Sequence, residues 1–223
     1  MPEGGAAVLF DLDGTLADTA PDLGGALNCL LREDGRPELP LAQLRPHVSG
    51  GARALIWAGY GLSAEDQGYA SLTARFLAHY ESALCLATTL FAGVDTMLAT
   101  LEQAGIKWGI VTNKAQRFAL PLTDQLGLRS RAACIVSGDS AWRPKPHPSP
   151  LLLGCAALQI DPASVSYVGD DRRDIDAGRA AGLRTVAAAY GYLGGEGHYD
   201  TWQADEVIFQ PGDLLALLIR PTQ

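Results

Sequence analysis

The chain has 223 residues, of which 48% are apolar and 19% are charged, and its formal net charge at pH 7 is −8. A chain of this length buries about 70% of the surface that its unfolded state exposes, so it needs no disulfides to fold. The apolar content argues against disorder. The negative charge, without any cluster of Lys and Arg, argues against a nucleic-acid partner.

The four cysteines stand far apart and show no Cys-x-x-Cys spacing. This pattern favours small core residues in a reducing compartment over zinc ligands. The first residues lack the basic and apolar regions of a signal peptide, and no apolar run reaches the length of a membrane span. We therefore expect a cytoplasmic protein with no membrane partner.

Short apolar runs alternate with helical stretches along most of the chain. Because continuous apolar strands that alternate with helices are typical of buried parallel sheets, the pattern predicts an α/β fold with helices on both faces of the sheet. A final helix is predicted over 212–220. The predicted strands are 6–10, 106–112, 133–137, 164–171, 184–189 and 205–209.

The stretch from 16 to 90 differs, because it contains no convincing strand. Its periodicity predicts helices over 21–34, 41–47, 50–59 and 63–83. The insert begins directly after the first strand, which places it over the carboxyl ends of the strands, where open α/β sheets bind ligands. We therefore predict a helical cap domain over 16–90 and a core formed by 1–15 and 91–223.

Polar residues collect where the apolar strands end. The first strand stops at Asp11 and Asp13, whose side chains would share one face of an extended chain. Two carboxylates this close are tolerated when a divalent cation lies between them. Later stretches add the further polar groups Thr112, Asn113, Lys114, Lys145, Asp170, Asp171 and Asp174.

This inventory suits phosphoryl transfer through a phosphorylated aspartate. One carboxylate attacks phosphorus, and Mg²⁺ neutralises the repulsion between that carboxylate and the phosphate. A second acid protonates the leaving alkoxide and then activates water. Hydroxyl, backbone N–H and lysine groups hold the transferring oxygens.

Four motifs, "DLDGT", a strand followed by "TN", "KP" and "GDDRRD", stand in this order along the chain. Together they resemble the haloacid dehalogenase superfamily, in the subfamily with a helical cap after the first motif. The resemblance implies a Rossmann-like core with a parallel sheet and an inserted, all-helical (C1-type) cap. It also implies a Mg²⁺-dependent phosphatase acting on a small-molecule phosphate ester.

The resemblance assigns the chemistry to particular residues. Asp11 would be the nucleophile and a metal ligand, and Asp13 would be the acid and base, with its backbone carbonyl on the metal. Lys145 would hold the nucleophile and the phosphate together. Asp170 would complete the protein ligands of the metal. The remaining roles are phosphate binding for Thr112 and Asn113 and support of the metal's water shell for Asp174.

Other stretches of the sequence indicate which branches of the superfamily the chain resembles. "KPHPSPLLL" and "AAAYGYL" resemble phosphoglycolate phosphatases, whereas "SGGARAL", "WGIVTNKAQRFA" and "TWQAD" are closer to bacterial N-acetylmuramic acid 6-phosphate phosphatases. A sugar phosphomutase shares the same motifs. All three alternatives stay open at this stage, and the expected assembly is a monomer or a weak homodimer.

Within the insert, Gly50 and Gly51 would let the backbone approach a leaving group, which makes Gly51 a candidate binding residue. Arg53 would pair with the carboxylate of the substrate, or would be an exposed helix residue. Asp171 is either a pocket charge or the N-cap of the following helix. Lys114 is either part of the site or a solvated charge.

Overall fold

The computed structural model describes residues 7–194 and 198–218. Its strands are β1 (Ala7–Phe10), β2 (Ala17–Asp18), β3 (Thr89–Leu90), β4 (Lys107–Val111), β5 (Ile135–Val136), β6 (Val165–Gly169), β7 (Arg184–Ala188) and β8 (Glu206–Ile208). Its helices are α1 (Ala20–Glu33), α2 (Leu41–Leu44), α3 (Gly51–Tyr60), α4 (Tyr69–Ser82), α5 (Val94–Gln103), α6 (Gln116–Gln125), α7 (Ser149–Leu158), α8 (Arg172–Ala181) and α9 (Asp213–Leu218).

Six strands form one parallel sheet in the order β5-β4-β1-β6-β7-β8. Along the chain, β4 and β5 add to one side of β1, and β6, β7 and β8 then add to its other side. The direction in which strands are added therefore reverses at β1. Phe10 pairs with Ile110 of β4 and Val168 of β6, so these three strands end at the same level. Open α/β sheets bind ligands at this position.

The sheet is covered on both faces, as predicted. Along β1 every residue is buried, and successive side chains point to opposite faces. Val8 and Phe10 belong to one hydrophobic cluster, whereas Ala7 and Leu9 belong to another. The α/β class inferred from the sequence is confirmed.

The segment between β1 and α5 contains α1 to α4, but it also contains β2 and β3, which pair antiparallel. The expectation that 16–90 holds no strand is therefore wrong. Each of these strands has two residues, which is too short for a periodic signal. Because they pair with each other, the entry and the exit of the helical segment lie side by side.

The last helix of this segment begins later than predicted, at Tyr69 rather than near residue 63. Asp66 accepts hydrogen bonds from the backbone N–H and the hydroxyl of Ser63, at 2.7 and 2.8 Å. Such a local turn competes with helix formation. Gly68, with φ of +91°, then starts the helix from a left-handed conformation.

The remaining boundaries differ from the predictions by a few residues. β5 has two residues at the edge of the sheet, and the predicted helix over 212–220 is observed as α9, with residues 219 and 220 outside the described part of the chain. None of the helices in the described ranges combines the length and apolar character of a membrane span.

Candidate active site

Three carboxylates meet where the central strands end. Asp11 follows β1, Asp170 follows β6, and Asp174 lies in the first turn of α8. One oxygen from each of the three lies within 4.8 Å of the others. Because like charges at this separation repel, and because all the donors are oxygen, the group suits a hard divalent cation.

Lys145 joins this acidic group from the loop that follows β5. Its Nζ lies 3.0 Å from Asp11 Oδ1 and 2.7 Å from Asp174 Oδ1. It also donates to the hydroxyl of Tyr167 at 2.7 Å. Burial alone would lower the pKa of Lys145, but the two carboxylates outweigh it and raise that pKa. The ammonium group is therefore held charged beside Asp11.

Asn113 fixes the loop that carries Lys145. Its amide nitrogen donates to the Lys145 carbonyl at 3.0 Å, and its amide oxygen accepts from the Lys145 N–H at 2.9 Å. Both ends of the Asn113 side chain are thus engaged with the backbone. The predicted phosphate contact of Asn113 would therefore have to come from its backbone N–H rather than from its side chain.

Asp170 is fully buried and rigidly placed. Thr15 Oγ1 donates to its Oδ1, and the Tyr192 N–H donates to its Oδ2, both at 2.9 Å. Burial, with the nearby Asp11 carboxylate, raises the pKa of Asp170 well above its ordinary value. A cation among these carboxylates would offset that unfavourable charge.

The glycine of the "DLDGT" motif is required by this arrangement. Gly14 has φ of +84°, a left-handed conformation that favours glycine. A Cβ at this position would come closer than 3.0 Å to the Asp170 carboxylate. The motif glycine therefore lets the loop after β1 pack directly against Asp170.

Asp13 has different hydrogen-bond partners from the three carboxylates. Its Oδ1 accepts from Lys114 Nζ at 2.8 Å and from Thr19 Oγ1 at 2.6 Å. The Lys114 side chain is only 7% exposed, so it is not a solvated charge. Burial would lower the pKa of Lys114, but Asp13 outweighs it and raises that pKa.

Asp171 caps α8 and is not a free pocket charge. Its side chain accepts from the Arg173 N–H, while Asp174 accepts from the Asp171 N–H at 3.1 Å, which forms a capping box. Burial would raise the pKa of Asp171, but the Arg173 guanidinium holds it below its usual value.

A cavity of about 290 Å³ opens beside these groups. One wall carries the polar groups of the core, and the opposite wall comes from the helical insert. The core residues at the cavity are Asp11, Asp13, Thr112, Asn113, Lys114, Ala115, Arg117, Phe118, Lys145, Asp171, Arg173 and Asp174. The insert contributes Leu23, Val48, Ser49, Gly50, Gly51, Ala52, Phe76, Leu77 and Tyr80.

Of the two insert residues predicted to bind substrate, the structure brings Gly51 to the cavity but not Arg53. Gly51 begins α3 and lines the cavity, whereas Arg53 is exposed on the same helix and is not part of its lining. Arg117 of α6 is a lining cation that the sequence reasoning missed. Its guanidinium lies 4.5 Å from the centre of the Phe118 ring.

Two tyrosines that contact the site residues were also not predicted from the sequence. Tyr167 in β6 donates to the Val111 carbonyl at 2.8 Å and accepts from Lys145. Tyr192 binds Asp170 through its N–H, and its hydroxyl donates to Asp18 at 2.8 Å. The tyrosine within the buried β6 strand was the available signal, because a buried hydroxyl needs a partner.

Comparisons with known proteins agree with this fold. The model of the haloacid dehalogenase-like hydrolase family matches residues 8–188. The chain belongs to this family, and the resemblance inferred from the four motifs is confirmed.

Two curated relatives cover nearly the whole chain. An N-acetylmuramic acid 6-phosphate phosphatase of Pseudomonas putida is 44% identical over 208 residues, 93% of each chain. A phosphoglycolate phosphatase of Xanthomonas campestris pv. campestris is 46% identical over 208 residues, 93% of this chain and 94% of the relative.

A solved structure shows the same fold. The crystal structure of a predicted phosphoglycolate phosphatase from Haemophilus somnus superposes with a TM-score of 0.85. The alignment covers 97% of this chain and 99% of that one, at 24% sequence identity.

Proposed function

We propose that the protein hydrolyses small phosphate monoesters through a phosphorylated Asp11. One observation carries the proposal: Asp11 lies at the end of the central strand, against Lys145 and the cavity, and within 4.8 Å of two further carboxylates. A carboxylate held beside a cation site and an ammonium group can attack a phosphate dianion that it would otherwise repel.

The metal in this proposal is Mg²⁺, held by the Asp11 and Asp170 carboxylates and the backbone carbonyl of Asp13. Asp174 would support the water shell of the ion. The buried set of oxygen donors, with more negative charge than Lys145 alone offsets, supports this assignment. When bound, Mg²⁺ would neutralise charge on the phosphate and on the nucleophile.

The reaction divides between the two aspartates of the first motif. The Asp11 oxygen forms a bond to phosphorus, and the bond from phosphorus to the ester oxygen breaks. Asp13 gives a proton to the departing oxygen and later takes one from the water that attacks the phosphorus of the aspartyl phosphate. The bond from phosphorus to the Asp11 oxygen then breaks and inorganic phosphate leaves, so that the Asp11 carboxylate is free and Asp13 is protonated again.

Three groups of the core would hold the phosphate oxygens. Thr112 lines the cavity, and its Oγ1 accepts from the Lys114 N–H at 3.1 Å, which leaves its O–H to donate. Lys145 would bridge Asp11 and the phosphate. Asn113 would act through its backbone N–H, since its side chain is engaged with the loop.

We assign residues 1–15 and 91–223 to the catalytic core and 16–90 to a cap that receives the leaving group. This division is supported by the lining of the cavity, to which the insert contributes mainly apolar residues together with the Ser49–Ala52 stretch. Closure of such a cap would exclude water from the reaction.

The substrate is a phosphorylated acid, with two candidates. The sequence motifs resemble both types, and the phosphoglycolate type is the first candidate. The cavity of about 290 Å³ favours the second candidate, N-acetylmuramic acid 6-phosphate, since glycolate fills only a small part of it. Both leaving groups carry a carboxylate. Arg53 and Arg117 are both exposed, but Arg117 lines the cavity and Arg53 does not, so Arg117 is the better placed partner.

A panel of phosphorylated metabolites tests the proposal. It contains 2-phosphoglycolate, N-acetylmuramic acid 6-phosphate, hexose phosphates and p-nitrophenyl phosphate, compared by kcat/KM with detection of released phosphate. We expect release from one of the two acids to be the most efficient. An isomerised sugar phosphate without free phosphate would instead identify a phosphomutase, and inertness toward every ester would end the proposal.

A further inference from the structure

The "GDDRRD" motif contains an ion pair, Asp171 with Arg173, that the proposed chemistry does not use. Arg173 Nε donates to Asp171 Oδ1 at 2.8 Å, and its Nη2 donates to Asp171 Oδ2 at 2.9 Å. Asp171 is in turn tied to the start of α8, because it accepts from the Arg173 N–H at 2.9 Å. The planar guanidinium is therefore fixed in direction by a carboxylate that cannot itself turn freely.

The same guanidinium reaches across to the helical insert. Arg173 Nη2 donates to the carbonyl oxygen of Ser49 at 2.6 Å, a contact between residues 124 positions apart in the chain. The Arg173 side chain is 32% exposed and its Asp171 partner 12%. A charge-assisted hydrogen bond in this half-buried setting is stronger than one between exposed groups.

The carbonyl that Arg173 holds belongs to the part of the insert nearest the phosphate site. Ser49 lies in the short 3₁₀ turn Arg45–Gly50, and the cavity is lined by Ser49 and the three residues that follow it. The Ser49 hydroxyl is buried at the cavity and has no hydrogen-bond partner among the described residues. A buried hydroxyl without a partner is free to bind a polar group of a ligand.

The insert and the core also contact each other at other places. Near the start of the insert, the Tyr192 hydroxyl accepts from the Ala20 N–H at 2.9 Å. On the far side of the cavity, the Tyr80 and Phe118 rings pack at 5.4 Å. The ring contact resists separation but does not set the direction of a backbone segment, whereas the bond to the Ser49 carbonyl does.

We propose that Arg173, oriented by Asp171, is a positioning residue that holds the Ser49 turn over the cavity and thereby determines which leaving groups are accepted. A leaving group as large as a hexose acid would reach Ser49 and the α3 start, and so would depend on this contact. A leaving group as small as glycolate would not. The kinetic part of this inference rests on the proposed function, but the structural part does not.

The structural part is tested by hydrogen exchange of the whole protein. In the Arg173→Met variant we expect amides within 45–51 to exchange about 10 to 100 times faster, the factor that corresponds to loss of a hydrogen bond to a charged group. The matched control is Arg172→Met, which removes the same charge from the neighbouring position of α8. Arg172 is 52% exposed, and its ion pair within the described part of the chain is with Asp176, at 3.5 Å.

A second variant, Arg173→Lys, separates loss of the contact from a folding defect. Lysine keeps the positive charge beside Asp171, but it lacks the planar guanidinium that binds Asp171 and the Ser49 carbonyl together. We expect it to melt like the wild type and still to exchange faster over 45–51. Equal exchange over 45–51 in Arg173→Met, Arg173→Lys and Arg172→Met would overturn the proposal.

The kinetic part compares a large with a small substrate. We expect Arg173→Met to lower kcat/KM for N-acetylmuramic acid 6-phosphate at least tenfold more than for 2-phosphoglycolate, mainly through KM, while Arg172→Met changes neither. Equal losses for both substrates would overturn the assignment of leaving-group selection. Failure of the wild type to hydrolyse any ester would refute the proposed function and leave the exchange test intact.

Discussion

At the scale of single residues, the site is a balance of buried charge. Asp11, Asp170 and Asp174 bring three carboxyl groups together, and the Lys145 ammonium lies between two of them. Asp13 has its own cation in Lys114. This separation gives the two aspartates of the first motif different surroundings. In the proposed mechanism these surroundings fit attack by Asp11 and proton transfer by Asp13.

Replacing Asp11 with Asn should keep the fold and abolish turnover. The amide is close to the carboxylate in shape, but it neither attacks phosphorus nor contributes a charge to the cation site. We expect kcat to fall on the order of 10⁴-fold or more, measured by phosphate release. The control is Asp176→Asn, a half-exposed carboxylate on α8. Activity of Asp11→Asn within tenfold of the wild type would exclude a phosphorylated Asp11.

Two cysteines give a prediction with a defined pH dependence. Burial raises the pKa of the Cys134 and Cys155 thiols to about 11. At pH 8 only about one such thiol in a thousand is ionised, and the thiolate is the reactive form. Alkylation of both by iodoacetamide, followed by peptide mass spectrometry, should therefore be slow at pH 8 and should speed up toward pH 11. Rapid labelling of either residue at pH 8 would contradict the prediction.

At the scale of the elements, one buried carboxylate joins the beginning of the helical insert to its end. Asp22, in the first turn of α1, accepts from the N–H groups of Ala87 and Thr88 and from the Thr88 hydroxyl, at 2.7 to 3.1 Å. These contacts join the start of the insert to the chain just before β3. Together with the β2–β3 pair, they fix the two crossings between insert and core next to each other.

Replacing Asp22 with Ala should therefore lower the free energy of unfolding by about 2–3 kcal/mol, because it leaves buried N–H groups without acceptors. Urea unfolding followed by circular dichroism measures the change. The control is Asp95→Ala, whose side chain is 74% exposed in its ion pair with Arg131; such pairs contribute about 1 kcal/mol or less. Equal effects of the two substitutions would show that the Asp22 contacts do not close the insert.

At the scale of the whole molecule, the fold tolerates an electrostatic cost at its centre. The raised pKa of Asp170 means that, without a bound cation, this group favours the folded state most when it is protonated. Its contribution to stability therefore falls as the pH rises from about 4 through its raised pKa. A bound divalent cation would remove this loss, and so would couple ion binding to the stability of the entire sheet.

We expect millimolar Mg²⁺ to raise the melting temperature at pH 7.5 and EDTA to reverse the rise. An ion present at about 100 times its dissociation constant stabilises the folded state by about 2.7 kcal/mol. In Asp170→Asn, Mg²⁺ should no longer raise the melting temperature. In EDTA this variant should melt no lower than the wild type, because the substitution removes a buried charge. A melting temperature that does not respond to Mg²⁺ in the wild type would refute the site.

Activity should follow the same dependence on the ion. We expect phosphate release to stop after exhaustive chelation and to return with Mg²⁺ but not with Ca²⁺, whose looser coordination would misplace the Asp11 oxygen. Full activity in the chelated protein would rule out the assigned role of the cation.

Much of this could be predicted from the sequence, because the signals are local. Apolar runs of strand length between amphipathic helices specify the α/β class, since each strand must be buried on both faces. The four polar motifs each follow a strand or lie in a loop, and parallel strands end at one edge of the sheet. The central residues of the site, Asp11, Lys145, Asp170 and Asp174, are therefore brought together by the order of elements alone.

What only the tertiary structure decided concerns partners that are far apart in the chain. Lys114 faces Asp13, the Asn113 amide serves the Lys145 backbone, and Arg173 reaches the Ser49 carbonyl. None of these pairs leaves a periodic pattern, because each depends on where two separate elements come to rest. The same reason places Arg117 at the cavity and Arg53 outside it: both lie on helices, and the packing of a helix determines which of its turns meets the site.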